Sequence, residues 1–367
     1  MRLTSLHITQ WRLRHQHLTT RPLADPVAVV RHQGAVQAQD YGGAKWALAM
    51  RLPPTTDAAL DAAFDRGEIL RTHVLRPTWH FVTPADIRWM LALTGPRVHA
   101  ASASRFRELG LDGKTLDRAM TALQRAMEGG RHLVREELRA ALDRARVPAP
   151  DSQRFAYVMM HAELEALVCS GPRRGKQFTH ALLDERAPLP AAPPPLARED
   201  AVRELARRYF AARGPATLHD FAVWSGLTTA DGRLGVEANG DLFTSAAHDG
   251  QTWWFPAGDT PRPRPDGRAH LLPNYDEYFI GFKHRGPLLE RFNAHAAQPT
   301  SRDLLAHILV IDGQVAGGWR RTLGTKGVAI GLAPVVPLTR AERGAVEEEA
   351  ERYGRFMERT PTVSWTG

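Results

Sequence analysis

The sequence predicts an α+β fold: three tandem helix-and-wing units followed by a β-rich C-terminal part. Three observations predict it. Helical apolar periodicity leads repeatedly into short strand pairs, a proline-rich stretch interrupts the chain at 188–195, and strand signals dominate the tail.

The first unit spans 1–95. Leu6 to Leu18, Asp25 to Gln33 and Asp57 to Arg66 read as helices, the second with Pro26 in its first turn, where a missing N–H costs nothing. Ile69 to Leu75 and Thr78 to Val82 read as strands broken by Arg76-Pro77, and Thr83-Pro84-Ala85-Asp86 gives a capping start to another helix. The second unit, 96–190, holds an amphipathic helix over Leu116 to Met127 and a short helix entered through His132 to Leu138. A buried helix over Arg154 to Leu167 follows, then a hairpin at 168–178 with a basic tip. Pro188 to Pro195 reads as a linker. The third unit, 198–290, opens with a helix from Arg198 to Arg213 stopped at Gly214, and Thr217 to Leu227 resembles a helix-turn-helix core. In the last part, 291–367, His307 to Trp319 reads as strands around an Asp312-Gly313 hairpin turn, and Arg340 to Phe356 as a terminal helix. Three helices followed by a two-strand wing is the winged-helix arrangement.

Lys+Arg 48 against Asp+Glu 40 gives net charge +8, which favours a nucleic-acid partner. The excess of arginine over lysine carries less, because GC-rich genomes favour arginine codons. One cysteine, Cys169, excludes a disulfide framework and cysteine-based metal sites. No apolar run approaches membrane-spanning length and the start lacks a signal-peptide core, so a cytoplasmic protein is expected.

The most informative segment is Gln37-Ala38-Gln39, flanked by Gly34 and by Gly42-Gly43. Residues two apart share a face on an extended backbone but diverge by about 200° on a helix. Two convergent amides can donate and accept at once, and so hold a water or read a base edge; on a polar helix end they would simply face solvent. Other catalytic patterns are missing. There is no His-Glu-x-x-His, no phosphate loop and no nucleophile elbow, and His7, His15 and His17 read as surface residues of the first helix. No metal site and no cofactor are expected. Asp276 and Glu277 are adjacent and therefore point apart; they read as structural, one of them pairing an arginine such as Arg285. Lys45 is the lysine nearest the glutamines and a weak candidate for a Schiff-base nucleophile.

Four motifs occur in order: Gln37-Ala38-Gln39, Arg76-Pro77-Thr78-Trp79-His80, Phe221 to Leu227, and Leu272 to Tyr278. Together they resemble the AlkZ-like winged-helix family of bacterial DNA glycosylases, over nearly the whole chain. The resemblance implies three winged helices and a β-rich part around a concave DNA-binding channel. It also implies excision of N7-alkylated purines, unhooking of azinomycin-type interstrand crosslinks, and a catalytic pair at Gln37 and Gln39. Members acting on simpler lesions carry aspartate at the second place; Gln39 points to the crosslink-unhooking branch. Thr78 and His80 are expected either to hold the lesion or a phosphate, or to belong to a plain core strand. The hairpin Trp319 to Gly327, with Arg320, Arg321 and Lys326, is expected to press on DNA phosphates or to be an ordinary exposed hairpin; Arg262 to Arg268 is a weaker second candidate. Double-stranded DNA is the expected partner and a monomer the expected state. The competing reading is a non-enzymatic winged-helix regulator, which would normally dimerise on half-sites; no dimerisation segment is evident.

Overall fold

The computed structural model describes residues 2–147, 151–188, 196–258, 262–295 and 307–366. Most of the linker expected at 188–195 therefore lies outside the described residues. The chain divides into two compact units that are discontinuous in sequence: 1–60 with 203–224 and 228–367, and 61–202 with 225–227.

The first unit is organised on a five-stranded sheet. Its order is Thr360–Trp365, Gly327–Pro334, Gln314–Leu323, Ile308–Ile311 and Ala269–Leu272, antiparallel except for the first pair. Ile308 to Ile311 is fully apolar and fully buried, as a strand covered on both faces requires. The helix Arg340–Phe356 starts in a capping box formed by Thr339 and Glu342 and packs on this sheet. Trp46, on the helix Tyr41–Ala49, sits edge-on to Tyr353 at 5.0 Å between ring centroids and donates its Nε1–H to Leu271 O at 2.8 Å. Burying an indole with its N–H satisfied removes on the order of 200 Å² from water. That anchor fixes the helix immediately after the Gln37-Ala38-Gln39 segment.

Elsewhere in this unit the helices Arg198–Arg213, Leu218–Ser225 and Thr229–Ala238 are followed by the hairpin Phe243–His248/Gln251–Pro256. The first helix, Ser5–His15, is not the surface element expected from its histidines. Arg12 is wholly buried over the Phe282 ring at 3.4 Å, and the half-buried His15 ring meets Gly214 O through Nδ1 at 2.6 Å. Burial lowers the His15 pKa.

In the second unit, Leu70–Val74 and Arg76–Val82 form a hairpin. The strands Leu133–Val134, Thr179–Leu182 and Val168–Ser170 make a small sheet in that order. Arg76-Pro77 does not break the second strand; the turn is carried by Leu75 at φ +64°. A helix of 22 residues, Ile87–Glu108, runs through Pro96, the point at which the sequence suggested a boundary. No helix among the described residues is long and apolar enough to cross a membrane.

Candidate active site

The segment carrying the two glutamines is held between two helix ends. Asp25 caps the helix Pro26–Gln33, which stops at Gly34 in a left-handed conformation, φ +78°. The chain then runs extended through Val36–Gln37, and Asp40 caps the next helix by accepting the Gly43 N–H at 3.1 Å. A Cβ at Gly43 would lie 2.7 Å from Asp40 Oδ2 and 3.2 Å from Pro273 Cβ, so a larger residue there would push on the capping carboxylate. The irregular, non-helical path expected from the flanking glycines is observed, extended at Val36–Gln37 and bending at Gln39 before the next helix. Gln37 is buried, Ala38 wholly so, and Gln39 is exposed.

A buried ionic pedestal fixes this backbone. Glu277 Oε1 accepts the Gln37 N–H at 2.9 Å. Its Oε2 accepts Arg213 Nη2 at 2.7 Å and Trp224 Nε1 at 3.0 Å. Arg213 also donates to Gln33 O at 2.6 Å and Ala35 O at 3.2 Å, while lying 4.4 Å over the Trp224 ring. The neighbouring Asp276 takes a two-pronged contact from Arg51, both at 3.0 Å, and Arg51 also reaches Gln16 Oε1 and Ala47 O. Both carboxylates and both guanidinium groups are almost completely buried. The expectation that Asp276 and Glu277 point apart and act structurally holds, with different partners: Arg51 and Arg213 take them, whereas Arg285 donates to Phe279 O and lies over the Phe279 ring.

The hairpin candidates separate. Arg321 lies with Nη2 3.7 Å from Asp40 Oδ2, one residue beyond Gln39, and 5.7 Å over the Tyr353 ring. Arg320 is exposed, as is Lys326 near the tip. Arg359 anchors the tip through the carbonyls of Gly324 and Thr325. His307 stands beside the Arg321–Asp40 pair, its pKa lowered by burial and then by Arg321, with Asp40 opposing. In the weaker candidate loop, Asp312 Oδ1 accepts the N–H groups of Asp266 and Gly267. Lys45 is buried against Asp57 at 2.7 Å and Tyr41 at 5.0 Å, an ion-paired environment that does not suit a Schiff-base nucleophile.

Thr78 and His80 belong to the second unit, on the strand Arg76–Val82. His80 is fully buried, and its Nδ1 meets Thr78 O at 2.9 Å. Among the described residues, the His/Asp/Glu group able to surround an ion is also in that unit, at His99, His161 and Glu165.

Of the carboxylates next to the glutamines, Glu277 and Asp276 are committed to buried arginines, and the part-exposed Asp40 caps a helix and stands 3.7 Å from Arg321. The motif itself offers two neutral amides, Gln37 buried on a fixed backbone and Gln39 exposed. Such a pair can orient a water but is a poor proton acceptor. Asp40, Arg213 and Trp224 escaped the sequence reading as parts of this assembly; only the apolar spacing and arginine content around 198–227 hinted at a buried cation.

A family model described as DNA glycosylase AlkZ-like matches residues 30–356. An interstrand DNA cross-link repair glycosylase of Streptomyces sahachiroi is 23% identical over 370 residues, covering 97% of this chain and 97% of that protein. The solved structure of the Streptomyces sahachiroi DNA glycosylase AlkZ matches with a TM-score of 0.79 at 21% identity, covering 100% of both chains. At that identity the structural match speaks to a shared fold.

Proposed function

The chain belongs to the AlkZ-like DNA glycosylase family, and from that premise we propose that it hydrolyses the N-glycosidic bond of N7-alkylated purines and so unhooks azinomycin-type interstrand crosslinks. One observation carries the reading: the buried Glu277–Arg213 pair fixes the backbone at Gln37, at the end of the strand Val36–Gln37, with the exposed Gln39 two residues on. Alkylation at N7 leaves the purine cationic and already a good leaving group. What the enzyme must add is a water placed beneath the anomeric carbon and stabilisation of an oxocarbenium-like sugar. The amide oxygens of Gln37 and Gln39 accept hydrogen bonds from that water. The proton is shed late, once the C–O bond is forming, so no strong base is called for.

In this reading the three helix-and-wing series are winged helices lining a concave DNA channel, and 291–367 supplies the basic hairpin. Arg320 and Lys326 contact phosphates, Arg321 holds the hairpin to the glutamine segment through Asp40, and Thr78 faces DNA while the fully buried His80 supports its strand from the core. A crosslinked purine is tied to the opposite strand and cannot be swung fully out of the duplex, which favours an open groove over an enclosing base pocket. The protein acts as a cytoplasmic monomer on double-stranded DNA. The test is incubation of the purified chain with a duplex bearing one defined N7-linked crosslink. Separated strands and an abasic site support the reading; tight binding to undamaged DNA with no abasic product overturns it.

A further inference from the structure

The second unit contains a three-residue donor cluster, apart from every motif considered above. His161 and Glu165 are one helical turn apart, at the C-terminal end of the helix Ser152–Leu164, and therefore share a face. His99 approaches from the helix Ile87–Glu108. One ligating atom from each of the three lies within 4.8 Å of the others. His99 Nε2 and Glu165 Oε1 are 2.9 Å apart, and the two imidazoles are 5.1 Å apart between centroids, with Phe106 packed against both.

We propose that His99, His161 and Glu165 form a binding site for a divalent transition-metal ion of the Zn²⁺ class, stapling the two helices together. The donor set fits that class. Two imidazole nitrogens and one carboxylate are typical zinc ligands, whereas Ca²⁺ and Mg²⁺ prefer oxygen alone. Donors about 2.0–2.1 Å from an ion stand roughly 2.9–3.4 Å from each other; the His99–Glu165 separation falls in that range, and the His161 ligating atom lies within 4.8 Å of both. Two polar atoms here also lack a hydrogen-bond partner although shielded from solvent: His161 Nδ1 and His99 Nε2, the latter close to Glu165 but not aligned for a hydrogen bond. Unpaired buried polar atoms are uncommon, and an ion would satisfy both residues. Glu165 is exposed and His99 partly so, leaving coordination positions open to water. The sequence concealed the site because its third ligand comes from a distant helix rather than from a short motif.

The test uses the full chain, stripped with a chelator and titrated with Co²⁺ and then Zn²⁺. The expected result is one equivalent of Co²⁺ giving visible d–d absorption, displaced by one equivalent of Zn²⁺, with Zn²⁺ raising the melting temperature. His161→Asn and Glu165→Gln, on one helix, and His99→Asn, on the other, should each weaken binding at least about tenfold. His295→Asn, which leaves the cluster intact, should not. Metal-free variants that melt with the metal-free wild type exclude misfolding as the cause. Absence of a one-equivalent Co²⁺ signal, or wild-type affinity in all three cluster variants, overturns the proposal.

Discussion

Replacing Glu277 by glutamine separates the fixing of the Gln37 backbone from the stability of the fold. Glu277 receives donors from Gln37, Arg213 and Trp224 on two oxygens. A glutamine has one oxygen and two donor hydrogens, so at least one incoming N–H would meet another donor, and the buried Arg213 would lose its counter-charge. Breaking a buried ion pair on one side costs about 3–5 kcal/mol. The loss also releases the Gln37 N–H. A misplacement of about 1 Å in a positioning group costs roughly 100-fold in rate, so Glu277→Gln should lower single-turnover excision of an N7-alkylpurine by about that factor. Asp276→Asn is the matched control. Its carboxylate is equally buried, takes Arg51 and accepts the Tyr278 N–H, and its hydrogen bonds do not reach the glutamine segment. It should lose comparable stability in a denaturant titration while keeping the excision rate of folded protein near wild type. An unchanged rate in Glu277→Gln, or an equal rate loss in Asp276→Asn, would refute the pedestal role.

Three further outcomes follow from the same geometry. Gln37→Ala and Gln39→Ala should each slow excision of N7-alkylpurine at least about tenfold without a comparable loss of duplex affinity; release at the unmutated rate in both would remove the pair from the chemistry. Arg320→Ala and Lys326→Ala should each flatten the dependence of log binding constant on log salt by about one unit, whereas Arg321→Ala, whose cation is held at Asp40, should change the excision rate more than the salt slope. The pH dependence of stability should carry a signature of Glu349, whose carboxyl is pushed up to about 7 by burial, with Arg352 opposing. Raised above its ordinary value of 4.5, it contributes stability that is present below about pH 4.5 and lost as pH rises through 7. The difference in unfolding free energy between wild type and Glu349→Gln should fall across that window and level off above it; a flat difference would count against a protonated Glu349.

Local signals in the sequence carried much of the fold. The helix Arg198–Arg213 ends at Gly214, and the helix Arg340–Phe356 begins after a Thr339/Glu342 box, because stops and caps are written in adjacent residues. The Asp312-Gly313 turn and the Pro26 helix start were legible for the same reason. What escaped depends on distant partners. Gly42-Gly43 looked like irregular chain, yet Asp40 starts a helix there that Trp46 docks onto Tyr353 and Leu271. Pro96 looked like a boundary, but tertiary packing carries a helix through it. The parallel pairing of Gly327–Pro334 with Thr360–Trp365 likewise has no local mark. At the candidate site, the spacing of Gln37 and Gln39 was visible, as was the oddity of Asp276-Glu277. The choice of Arg51 and Arg213 as their partners was not, since residues so far apart in sequence meet only in the folded chain.

A neutral amide pair can serve only a leaving group that is already cationic. The most direct measurement compares single-turnover release of an N7-alkylguanine with that of its ring-opened, uncharged formamidopyrimidine bearing the same alkyl group, at the same position in one duplex. Water positioning without a base predicts rapid release of the cationic base and release of the neutral one slower by about three orders of magnitude or more, the scale a missing general acid or base commonly represents. Comparable rates for the two would contradict the claim and require a proton-transfer group that Gln37 and Gln39 cannot supply.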